Sequence, residues 1–353
     1  SINKRIKLIM AFTTINKSSD YFTPKLYTGN GSTNTITGLN FQPDMTWLRA
    51  RSGASGNEIY DAVRGATYRI YPNISDGGDA LVQGLQAWTS DGFTVGSASG
   101  INTNSATFVS WNWKANGQGS SNTDGSINTT YTSASTTSGF SISTYTGTGA
   151  NATIGHGLGI APKMILLKKT GATANWFVYH STQGATKYLH LNTTSAVDTA
   201  SSVWNNTAPT SSVFSVGNSA DVNASSGTYV AYCFAEKQGF SKFGSYTGNG
   251  NADGTFIYTG FKPAFILIKQ SSASGRNWEI YDSKRIGYNV ANYRLPPNTA
   301  GAEETNVNID ILSNGFKARS TDADLNASGA TYIYMAFAEA PLVGTNNVPA
   351  TAR

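Results

Sequence analysis

The 353-residue chain holds a single cysteine, Cys233, three histidines and only 13% charged residues. One thiol cannot close an internal disulfide, so the fold must hold by packing, which suits a protein assembled in a reducing cytosol. Without a His or Asn constellation around it, Cys233 reads as a buried, inert side chain and not as a nucleophile. No run of eighteen apolar residues exists, so no membrane-spanning helix and no membrane partner are expected. Heptads are missing too, which excludes a coiled-coil shaft. Net charge is +5 but the basic residues are scattered, with only Lys4-Arg5-Ile6-Lys7 clustered, so no nucleic-acid partner is expected. The apolar stretch Leu8 to Phe12 is too short for the core of a signal peptide.

Cofactor and metal signatures are equally sparse, and the expectation is that neither is bound. His156, His180 and His190 all lie in the middle of the chain, at spacings that match no zinc pattern. Asp322-Ala-Asp324-Leu-Asn326 begins like a calcium loop, but Ala327 stands where the turn needs glycine and the closing glutamate is missing. The glycines from Gly147 to Gly159 lack both a phosphate-loop lysine and a following helix. Acidic residues number only twenty, which leaves little material for the paired carboxyls of a glycosidase.

What the chain does contain is repetition. Thr331-Tyr-Ile-Tyr-Met-Ala-Phe-Ala-Glu339 is nearly copied at Thr228-Tyr-Val-Ala-Tyr-Cys-Phe-Ala-Glu236, and more loosely at Thr107-Phe-Val-Ser-Trp-Asn-Trp-Lys114. A repeat has to be recognised before any single motif is interpreted. Each copy opens on a Tyr-Thr-Gly turn, at Tyr27, Tyr145 and Tyr246, whose glycines predict positive φ. A proline and an apolar run ending in a cation follow: Pro43 to Arg49, Pro162 to Lys168 and Pro263 to Lys269. These runs are short and β-prone, so they predict central strands buried on both faces. A second strand comes at Asn57 to Asp61, Asn175 to His180 and Asn277 to Asp282, and Ser90-Asp91-Gly92 and Ser313-Asn314-Gly315 predict hairpins. The closing strand is entered through Asn104, Asn223 or Asn326.

The expected fold is all-β, with three tandem β-sandwich, jelly-roll-like repeats. Residues 1–19 form an N-terminal extension, 20–114 the first repeat, 115–138 a Gly/Ser/Thr linker, 139–238 the second repeat, 239–342 the third and 343–353 a polar tail. The short join around Lys237 predicts that the second and third repeats form a rigid pair while the first sits apart. Functional differences are expected where the copies disagree, including the loops at 68–86, 192–211 and 289–308.

Two constellations stand out as candidate sites. Asp61 and Arg64 recur as Asp282 and Arg285 at the same offset, while the middle copy has His180 and Gln183. Joint loss of both charges points to structural ion pairs, placed on exposed turns. Trp176 and Trp278 follow Asn175 and Asn277, and flat rings beside amides are what carbohydrate contacts use. Core packing is the competing reading for these tryptophans.

Met10-Ala-Phe-Thr-Thr-Ile-Asn-Lys-Ser-Ser-Asp-Tyr-Phe, Tyr27-Thr-Gly-Asn-Gly-Ser, Gly155-His-Gly-Leu-Gly, Asn175-Trp-Phe-Val-Tyr-His and the closing segment from Thr331 resemble repeat-bearing virion proteins of tailed phages, tail-fibre-like and of marine or cyanobacterial type. The resemblance runs from Met10 onwards. It implies a non-enzymatic virion structural protein, assembled in the host cytoplasm with other virion proteins and copies of itself as a homo-oligomer, with host surface polysaccharide as a further partner. The roles it allows are tail fibre or compact appendage, and head (capsid) decoration, and the lack of shaft sequence leans towards the compact forms. The alternatives are a lectin-like carbohydrate-binding module and a polysaccharide depolymerase.

Overall fold

In the computed structural model, residues 13–53, 56–285 and 288–343 are described. The expected polar tail lies outside these residues except at its first position, as does most of the N-terminal extension. The fold is all-β, as expected, and its helices among the described residues are single turns such as Ser99–Asn102 and Ala220–Asn223. Strands form three large and three small antiparallel sheets. The first large sheet runs Phe22–Thr28, Thr107–Trp113, Met45–Ala50, Asn57–Asp61, Gly65–Ile70, Asp79–Ala80. Phe140–Thr146, Thr228–Phe234, Met164–Lys169 and Phe177–His180 repeat its first four places, and so do Ser241–Thr247, Thr331–Pro341, Phe261–Gln270 and Trp278–Asp282. The closing strand therefore sits between the opening strand and the apolar run in every copy. A small sheet, built on the hairpin strand Gly92–Val95, Val213–Val216 or Gly315–Ala318, accompanies each large one.

Alternation along the closing strand decides how the sheets stack. In the second unit Tyr229, Ala231 and Cys233 face the small sheet and share a core with Ile154, Phe214 and Val216. Val230, Tyr232 and Phe234 point the other way, into a second core that also holds Val109, Trp111 and Trp113 of the first unit and Phe265 and Phe337 of the third. Both faces are apolar because each large sheet is covered twice, once by its own small sheet and once by its neighbours. The first unit does not sit apart, contrary to expectation. Trp113, Phe234 and Phe337 hold the same place in their strands, and their ring centroids form a triangle with sides of 6.2, 6.0 and 5.7 Å.

The Tyr-Thr-Gly turns are clamped from inside. Asn102, Asn223 and Asn326 are fully buried, and each side-chain oxygen accepts the backbone N–H of Asn30, Thr148 or Asn249 at 3.0, 2.9 and 3.0 Å. Their amides donate to Gly96, Gly217 and Ser320 carbonyls. In the first unit this clamp is Asn102 and not Asn104, which the sequence comparison had selected. The segment Asn102-Thr-Asn104 offers two asparagines, and only the one ending the single helical turn points inward. A Cβ on Gly29, Gly147 or Gly248 would fall 2.1, 2.4 or 2.3 Å from a carbonyl oxygen, so the close approach demands glycine.

Residues 115–138 are also more than a linker. Tyr131–Ser135 forms an edge strand on the second large sheet, and Ile127 bridges to Ile154. An edge strand needs backbone hydrogen bonds on one side only, so its Tyr-Thr-Ser-Ala-Ser sequence carries little apolar signal.

Because one core joins all three units, heating should unfold the chain in a single calorimetric transition. Phe234→Ala should lower stability by about 3–5 kcal/mol without splitting that transition. Two resolved transitions would show that the units melt separately.

Candidate functional site

The three units close into a ring, each laying one loop on the next. From the first unit, Tyr71 O accepts the Trp176 indole N–H at 2.8 Å, and Gly78 N donates to Thr170 O at 3.0 Å. From the second, His190 O accepts the Trp278 indole at 2.9 Å, and Val197 N donates to Ser271 O at 2.9 Å. From the third, Pro297 O accepts Asn57 Nδ2 at 2.7 Å, and Glu303 N donates to Arg51 O at 2.9 Å. Segments within the loops read as functional variation thus hold the ring together.

Trp176 and Trp278 are therefore not sugar platforms. Their exposures are 0% and 1%, and each indole nitrogen is spent on the neighbouring loop. Asn175 and Asn277 are half-buried and accept the side-chain amides of Asn192 and Asn298, both at 2.8 Å. Repetition at one offset marked a shared joint, and the core-packing reading is the one the geometry supports.

The two ion pairs sit at two of the three seams, between the first and second units and between the third and first. Arg64 Nε lies 2.6 Å from Asp61 Oδ2 and Arg285 Nε 2.6 Å from Asp282 Oδ2. Their placement on exposed turns needs correction: both carboxylates are fully buried at a seam. Asp61 accepts the Tyr232 hydroxyl of the second unit at 2.6 Å, and Asp282 accepts the Trp111 indole of the first at 3.0 Å. Strand alignment puts Met335 where Trp111 and Tyr232 stand, and a thioether has no proton to give a carboxylate. At that third seam His180 replaces the aspartate, its Nε2 facing the Tyr334 carbonyl at 3.2 Å and its Nδ1 the Thr182 hydroxyl at 2.8 Å. A carbonyl only accepts, so Nε2 carries a proton, and Nδ1 accepts the Thr182 backbone N–H, which leaves the ring neutral. Burial pulls the His180 pKa down to about 4.

Several charges are buried, which the sequence comparison does not reveal. Arg49, Lys168 and Lys269, the cations that end the apolar runs, are at most 1% exposed. Lys168 Nζ donates to the Ser75, Lys169 and Ala174 carbonyls at 3.1, 2.9 and 3.0 Å, and Arg49 and Lys269 reach Gly301 and Arg276 carbonyls. Burial draws Lys168 and Lys269 down to about 8, with nearby carboxylates opposing the shift only in part. Arg69 bridges Glu58 and Asp79, and Arg294 bridges Glu279 and Glu304. The Glu-to-Arg offsets are 11 and 15 residues, so no fixed spacing reveals the correspondence. A repeat-aligned cation at the end of an apolar run was the one signal in view.

Other sequence candidates resolve into framework. Cys233 is fully buried, and burial pushes its thiol pKa far up. Asp322 and Asp324 accept backbone N–H groups at Asp324 and Asn277, and Asn326 is a turn clamp. Among the described residues no three His, Cys, Asp or Glu side chains gather as metal ligands.

Open clefts lie beside the opening strand of each unit. One of about 530 Å³ lies between the first and third units and carries Lys25, Lys284 and Glu339. A second, of about 350 Å³, lies between the first and second units and is lined by threonines and tyrosines. The third, also about 350 Å³, carries Glu236 and Lys242, paired at 2.7 Å.

Three sheet pairs closed into a ring by cyclic loop docking define a single-chain, pseudo-threefold β-sandwich protein. The chain belongs to the family described as a domain of unknown function, DUF7483, whose profile matches residues 17–341. No curated protein matches it.

Two measurements check the seams. Tyr232→Phe removes one hydrogen bond to a buried carboxylate and should cost about 1.5–3 kcal/mol in chemical denaturation. For His180, the unfolded chain takes up a proton below its usual pKa of 6.5 while the fold resists until about 4. Its contribution is therefore complete above pH 6.5 and lost as pH falls to 4, about 3 kcal/mol in all. Denaturation of His180→Gln across that window should lack this part of the wild-type pH dependence.

Proposed function

We propose that the chain is a non-enzymatic structural protein on the surface of a tailed-phage virion, a compact tail appendage or a head decoration. The observation that carries this reading is the closed ring: repeated positions in the closing strands, the second strands and the docking loops lock three units into one body. That is an expenditure suited to a scaffold. A pseudo-threefold body also presents similar outer surfaces in three directions, which matches symmetric neighbours in an assembly. The resemblance to virion proteins supports the same reading, with copies of itself and other virion proteins as partners.

The depolymerase alternative finds little support in the carboxylates. Glu58 with Asp79 and Glu279 with Glu304 are each bridged by an arginine. A carboxyl held in such a bridge is poorly placed to give and take protons. Carbohydrate binding keeps a specific observation in its favour, the threonine-lined cleft.

Quantitative mass spectrometry of purified particles, with labelled antibody located by electron microscopy, tests the assignment. Hundreds of copies on the shell would establish decoration, and a few dozen or fewer at the tail would establish an appendage. Absence from intact particles would overturn it.

A further inference from the structure

The cleft between the first and second units differs chemically from the other two. Its one charged lining residue is Arg64, already committed to Asp61, so no free cation or carboxylate faces a ligand. Thr130, Thr144 and Thr146 line it, and among the described residues their hydroxyls form no hydrogen bond within the protein. Thr170 and Thr228 also line it, joined hydroxyl to hydroxyl at 2.9 Å. Tyr68 reaches the cleft from the first unit and is 50% exposed, so part of its ring is open to a ligand. Below it, Tyr145 and Tyr229 stack with centroids 5.0 Å apart, and the Tyr145 hydroxyl is spent on Val222 O.

We infer that this cleft is a binding site for an uncharged saccharide. Threonine hydroxyls both donate and accept, as sugar hydroxyls do, and an exposed tyrosine offers an apolar face with a polar edge. A phosphate or carboxylate would find no unpaired positive charge there. About 350 Å³ falls within the range of small-molecule pockets. The walls are held in place before any ligand arrives, because Gly78 N bonds Thr170 O across the seam and Trp176 bonds Tyr71 O beside it. That limits the ordering cost of binding. In the opening strand Thr146 recurs as Thr28 and Thr247, while Thr144 aligns with Leu26 and Ser245, so Thr144 is the opening-strand position at which this lining differs most from the first unit.

The intact chain should be titrated, by saturation-transfer NMR and calorimetry, with glucose, galactose, mannose, N-acetylglucosamine, lactose, maltose and glucuronic acid. At least one neutral sugar is expected to bind. Tyr68→Ala should weaken it about tenfold or more. Thr146→Val, which keeps shape and removes a hydroxyl, should weaken it less, and Lys25→Ala in the neighbouring cleft should leave it unchanged. All three positions are at least partly exposed, so unchanged melting temperatures serve as the folding control. No binding by any neutral sugar, preference for glucuronic acid, or equal affinity in both Tyr68→Ala and Thr146→Val would overturn the inference. Failure here leaves the virion assignment standing, because that is read from particle composition.

Discussion

The contact on which the architecture depends is the triangle of Trp113, Phe234 and Phe337, one ring from the same place in each closing strand. Around it Phe22, Phe140, Phe243 and Phe265 fill the space between the large sheets. Each strand carrying a triangle residue has its other face buried as well, apolar in the second and third units and polar at Ser110 and Asn112 in the first, so the same ladder of hydrogen bonds serves two buried interfaces. Pulling one unit away would expose a whole sheet face. Loss of a single large core ring costs about 3–5 kcal/mol, a large part of the margin by which a domain is stable. A trimer of separate chains would also pay for lost translational and rotational freedom, and the covalent links here avoid that.

Carrying three seams on one chain has a second consequence. In a homotrimer every seam would be identical by symmetry. Here the tyrosine-to-aspartate, tryptophan-to-aspartate and histidine-to-carbonyl contacts occupy corresponding places with different chemistry. The middle unit lost its ion pair where its neighbour presents Met335, since a buried carboxylate without its donors is costly. It also replaces the glutamate-arginine bridge by the Phe177 and Tyr188 rings, 5.2 Å apart. The same freedom lets the clefts beside the seams diverge, two of them charged and one lined by hydroxyls.

The correspondence of the copies, the strand runs, the glycine turns and the all-β class were legible in the sequence because they arise from local chemistry. A run of four β-branched or aromatic residues is strand-prone in many settings, and a glycine that must approach a carbonyl is marked by its own identity. Trp176 and Trp278 were legible as equivalent but not as joints, since an indole stacked on sugar and one donating to a backbone loop look the same in one dimension. Asn102 was hidden by Asn104, two residues on. Tyr131–Ser135 was hidden because its Tyr-Thr-Ser-Ala-Ser sequence lacks the apolar run that marks the central strands.

By itself, then, the sequence determined three similar β units and the turns that shape them, through side-chain periodicity and the conformational freedom of glycine. Tertiary structure alone decided that the units close into a ring, that the ion pairs are buried, and that one cleft is lined mainly by hydroxyls and tyrosine rings. Those properties depend on which residue of one unit meets which residue of another. Partners such as Tyr232 and Asp61 lie 171 residues apart, and no local rule spans that distance.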